Sequence, residues 1–122
     1  MKTLEECCGP WLGAWIQFGV RGHMRLKLRF SDGCLSGGGA DRIGSFSIVG
    51  SYDANDSVAF VKNYRTHRVS YRGKWDGAMI AGTWNIVGQI GTGPFEIWPE
   101  SESMLVEEVF EQEASPSHLV NA

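Results

Sequence analysis

Large apolar side chains recur at every second position along most of this chain, alternating with small or polar ones. In 44–53 the order is Gly-Ser-Phe-Ser-Ile-Val-Gly-Ser-Tyr-Asp. In 76–86 it is Asp-Gly-Ala-Met-Ile-Ala-Gly-Thr-Trp-Asn-Ile. A period of two is that of a strand with one face buried. Eight such runs follow one another, at 13–18, 23–30, 34–40, 45–52, 58–64, 67–72, 78–86 and 95–98. The cleanest is the second, where Met24, Leu26, Leu28 and Phe30 turn inward and His23, Arg25, Lys27 and Arg29 meet water. Short turns join the runs, two of them Asp-Gly pairs at 32–33 and 76–77, the chemistry of a tight hairpin. Eight short antiparallel strands predict an all-β fold, an eight-stranded up-and-down barrel, because closure removes the exposed sheet edges.

The pattern changes at both ends. Residues 1–12 read as a short lead-in, 13–99 as the barrel domain and 100–122 as an acidic tail. Within the tail, Leu105 and Val109, like Val106 and Phe110, stand four apart, which predicts a short C-terminal helix over 102–113. A ninth strand is the competing reading, since Val and Phe also favour β structure. A faint repeat relates the Asp32 and Asp76 hairpins at an offset of 44 to 47 residues. The drift makes it two hairpins under one set of rules.

Composition narrows the class. The 122 residues suffice for one core. Sixteen glycines, without a Gly-X-Y period, fit turns and barrel corners. No apolar run approaches the roughly 20 residues that cross a bilayer, and the first residues do not read as a secretory signal. No membrane partner is therefore expected. Cys7, Cys8 and Cys34 lack metal-ligand spacing and are odd in number, which points to reduced thiols in a cytoplasmic setting, with no metal and no cofactor. The net charge is −3, yet all 11 Lys and Arg precede residue 100, while Glu100, Glu102, Glu107, Glu108, Glu111 and Glu113 crowd the tail. Arg65, Arg68, Arg72 and Lys74 interleave with Tyr64, Tyr71 and Trp75, a pattern that can bind single strands. The acidic total argues against nucleic acid.

Gly13-Ala-Trp15, Gly50-Ser-Tyr-Asp53, the run from Val58 to Arg65, His67 and Thr83-Trp84 together resemble the calycin barrels, and the avidin-like branch most. The resemblance spans roughly 13–98. It implies a lumenal ligand site with tryptophan walls. The polar residues that hold biotin in that branch are not matched here. Gln17 stands where an Asn is expected, the turn at 19–22 lacks the Ser, Gly37-Gly-Gly39 replaces a Tyr, and Phe60 replaces a Trp. Loss of that buried polar recognition removes the basis for biotin binding.

The candidate ligand-binding residues are Gln17, Tyr52, Phe60, Lys62, His67, Tyr71 and Trp84. Gln17 shares a face with Trp15. A buried Gln needs partners, from neighbouring backbone or from a ligand. Lys62 shares a face with Phe60, and either enters the lumen or rests at its rim with its ammonium in water. His67 shares a face with Tyr71 and could bind a polar group. No residues complete a catalytic set. Ile16, Phe18, Val49, Val61 and Trp98 fall on the outer side, which suggests a partner surface or a homo-oligomer. The expected function is non-catalytic binding of a small amphipathic or aromatic molecule in the lumen. Two alternatives stand beside it: a protein-interaction or oligomerisation module with a packed core, and an enzyme using Lys62 or His67.

Overall fold

The computed structural model describes residues 2–100. The strands are β1 (Gly9–Gln17), β2 (Val20–Ser31), β3 (Cys34–Asp41), β4 (Gly44–Tyr52), β5 (Ser57–Asn63), β6 (Arg68–Trp75), β7 (Ile80–Ile86) and β8 (Thr92–Pro99). Each pairs antiparallel with the next, and β8 returns to β1 to close the barrel. The eight strands are those expected, and most are longer. The first begins at Gly9 instead of 13, so the last four residues of the expected lead-in belong to the sheet. Ahead of it lies one 3-10 turn (Leu4–Cys7). The expected tail helix lies outside the described residues.

Alternation places the core. Trp11 and Trp15 of β1, Met24, Leu26, Leu28 and Phe30 of β2, Phe60 of β5, Tyr71 and Trp75 of β6 and Trp84 of β7 all point inward and are buried. On β6 the aromatic residues face in while Arg68 and Arg72 face out. The interleaving seen in the sequence therefore separates onto two faces and makes no mixed basic and aromatic surface.

The glycine run of β3 has a steric cause. A Cβ on Gly37 would come within 2.0 Å of the Lys27 carbonyl oxygen, and one on Gly39 equally close to that of Arg25. These glycines let β3 approach the backbone of β2.

The two ends of the barrel differ. At one end the 3-10 turn plugs the lumen. Leu4 and Cys7 are buried there. The Trp11 indole N–H donates to the Cys7 carbonyl at 2.8 Å and that of Trp75 to the Lys2 carbonyl at 3.0 Å. Tyr52 belongs to this end, where its hydroxyl donates to Glu5 and its ring packs edge-on against Phe30. The other end, the mouth, carries the β1–β2, β3–β4, β5–β6 and β7–β8 connections.

Candidate functional site

Beneath the mouth the lumen is filled by side chains. Lys62 is the most unusual of them, since it is 1 % exposed. Its position on β5 requires this. Val58, Phe60, Lys62 and Tyr64 share one face, and the aromatic members fix that face inward. The rim position weighed from the sequence does not occur.

The ammonium is fully provided for. Nζ donates to Asp41 Oδ2 at 2.9 Å, and Asp41, at the end of β3, has a completely buried carboxylate. Tyr64 donates its hydroxyl to the same oxygen. The second carboxylate oxygen accepts the Ile43 backbone N–H at 2.9 Å, so one Asp both shapes the β3–β4 turn and neutralises the lysine. Nζ also stands 4.7 Å from the ring centroids of Trp15 and Phe46, 5.2 Å from Tyr64 and 5.1 Å from Tyr71. Four rings around an ammonium form an aromatic cage of the kind that recognises organic cations. Here the occupant is the protein's own lysine.

Burial lowers the Lys62 pKa, and Asp41 opposes that shift. Burial, then the Asp41 hydrogen bond, raises the Tyr64 pKa. Burial followed by the Asp41 charge raises that of Tyr71. A neutral lysine here would lose its ion pair and four ring contacts together, so the geometry holds an ammonium and offers no free amine nucleophile.

Above the cage lies a cavity of about 40 Å³ lined by Trp15, Gln17, Ile43, Tyr64, His67 and Trp84, among others. A water needs about 10–15 Å³ of such space, whereas ligand pockets run from about 300 Å³ upward. This cavity takes a few waters or one small polar group. Five of the seven residues expected from the sequence meet at it: Gln17, Lys62, His67, Tyr71 and Trp84. Phe60 lies deeper, stacked on Tyr71 with centroids 4.8 Å apart, and Tyr52 lies at the plugged end. His67 stacks on Tyr64 at 4.6 Å, and its Nδ1 is 2.9 Å from the Thr66 hydroxyl. Asp41 escaped the sequence reading, although it ends a strand pattern and precedes a turn, where an inward carboxylate is possible.

The rim of the mouth is apolar and exposed. Phe18 is 93 % exposed and Ile90 completely so, and Val20, Ile43 and Val87 are exposed as well. These residues come from three of the four connections at this end. Phe18 and Gly19 form the two-residue β1–β2 turn with φ of 52° and 75°. A turn with positive φ at both positions favours Asn-Gly, and a phenylalanine is strained in the left-handed region.

The described residues form other concavities as well. A cleft of about 440 Å³ runs along the plug between Glu5, Asp53, Asp56 and Trp75. An apolar groove of about 580 Å³ crosses the outer face of β2 and β3, floored by Gly38, Gly39 and Ala40. Glu100 lies in this groove with its side chain largely buried, 3.7 Å from Arg25.

Compared with known proteins, the chain matches no protein-family model and no curated protein. Among the described residues no helix is long and apolar enough to cross a membrane, and no cluster of His, Cys, Asp or Glu could hold a metal ion.

Proposed function

We propose that the protein is a non-catalytic binding module whose target, amphipathic and anionic, is met at the mouth and not enclosed in the lumen. The observation that carries this reading is Phe18, an aromatic side chain held in water at a strained turn position. A stability-optimised hairpin places Asn or Gly there, and an apolar side chain kept at such a cost points to a contact. The filled lumen supports the same reading, because the cage is satisfied internally and the remaining 40 Å³ admits only the tip of a polar group. Gln17 and His67 at that cavity supply polar contacts for such a tip, while Ile43 and Phe18 supply the apolar ones. The likeness to avidin-like barrels enters as a likeness of architecture, with the lumenal ligand of that branch replaced by Lys62.

The test is a titration of the full chain with octanoate, followed by backbone and indole N–H resonances. Shifts confined to Gln17, Phe18, Ile43, His67 and Trp84 are expected. Shifts concentrated along the plug, or none at millimolar ligand, would remove the proposal.

A further inference from the structure

We infer that the mouth end rests on an anionic lipid surface, with Phe18, Ile43, Val87 and Ile90 entering the headgroup layer and Arg65 and Arg68 meeting its charge. The inference builds on the mouth-binding reading above and names the source of the amphipathic target.

The first argument is the separation of charge along the barrel. Among the described acids, Glu5, Glu6, Asp32, Asp53, Asp56 and Asp76 are all exposed at the plugged end. Of the other three, Glu100 follows β8 at the plugged end, 3.7 Å from Arg25, and toward the mouth Asp41 is neutralised by Lys62 and Glu96 by Arg21, each at 2.9 Å. Arg65 and Arg68 flank the β5–β6 connection and are exposed. The barrel domain is thus a dipole with its positive end at the mouth. A negative surface orients such a molecule mouth-first even when its total charge is negative.

The second argument is the form of the apolar groups. They are tips spread over three connections, Val87 and Ile90 sharing one, with cationic and polar residues between them. A folded partner would need a matching hole for each tip. A fluid interface moulds around all of them and gains the burial of each side chain. The absence of a spanning segment bears on crossing a bilayer and not on resting at its surface.

The test is co-sedimentation of the full chain with phosphatidylcholine vesicles, with and without phosphatidylserine. Binding is expected only with phosphatidylserine and is expected to fall as salt is raised. Phe18→Asn with Ile90→Asn should weaken it by roughly tenfold or more, from the apolar area withheld from the interface. Arg65→Ser with Arg68→Ser should also weaken it by roughly tenfold or more. Val49→Asn is the control, because Val49 is 63 % exposed on the barrel wall, away from the mouth, and this variant should bind as the parent does. No binding to phosphatidylserine vesicles overturns the inference, as does binding that survives the tip substitutions or falls equally with Val49→Asn. Self-association in sedimentation velocity that the tip substitutions abolish would identify a second copy as the occupant and overturn it too. If vesicles fail while octanoate still shifts the mouth resonances, only this inference falls. If both fail, the mouth-binding reading falls with it.

Discussion

Lys62 and Asp41 form a sealed ion pair inside the lumen, 2.9 Å apart, with side chains 1 % and 0 % exposed. They sit on β5 and β3, which are not neighbours in the sheet. The pair therefore ties the two strands that flank β4 together through the interior. Such a pair adds little net stability over a well-packed apolar core, but breaking it strands a buried charge.

Truncation of the lysine should be severe and chemically repairable. Lys62→Ala leaves Asp41 unpaired inside four aromatic rings, and a loss of about 3–5 kcal/mol is expected in denaturant unfolding. Propylammonium should restore part of that loss by entering the vacated cage, whereas propanol should not. Equal effects of the two additives would contradict the cage assignment.

Alkaline unfolding should be steep. Tyr64 and Tyr71 have raised pKa values in the folded state, so they keep protons that the unfolded chain gives up near the ordinary tyrosine value of about 10. Their stabilising effect is complete below that pH and is lost as pH rises above it, at about 1.4 kcal/mol per pH unit for each. Lys62, with a lowered value, has the opposite sign up to the ordinary lysine value near 10.4 and adds no slope beyond. A pH series of urea midpoints should therefore decline above about pH 10.5, and Tyr71→Phe should flatten it.

Replacing the exposed aromatic at the β1–β2 turn should stabilise the fold. Phe18→Asn relieves a left-handed φ of 52° and removes no buried contact, so a gain of about 1 kcal/mol is expected. A denaturant midpoint below that of the parent would show that Phe18 serves the fold. A higher midpoint together with lost vesicle binding is the signature of a residue kept for contact.

The β3 glycines should tolerate no side chain where β2 lies closest. In Gly39→Ala the new Cβ would sit 2.0 Å from the Arg25 carbonyl oxygen, a backbone atom that cannot swing aside. A cost of about 3 kcal/mol is expected, read as a fall in the unfolding midpoint. At Gly19, where nothing lies within 4 Å, an added methyl should cost only the strain of its positive φ.

Strand number, strand order, turn chemistry and the inward faces of the cleanly alternating strands were legible in the chain, because alternation and Asp-Gly pairs are local signals with a fixed geometric meaning. The β2 residues Met24, Leu26, Leu28 and Phe30 needed no partner to be assigned to the core. Lys62 was different. Apolar residues stand on both faces of β5, Phe60 on one and Val61 on the other, so the chain alone fixed neither which side turns inward nor whether an inward lysine reaches the lumen or water. Asp41, 21 residues away on another strand, has no local relation to Lys62 at all. The exposed tips were scattered letters until closure of the barrel brought three connections to one end. Local periodicity thus determined the architecture and its inside. Only the closed tertiary structure decided that the lumen is filled by its own cation, and that charge and apolar tips are sorted between the two ends. Pairing across a barrel and the gathering of loops at its rim depend on strand length and closure, which no short stretch of sequence encodes.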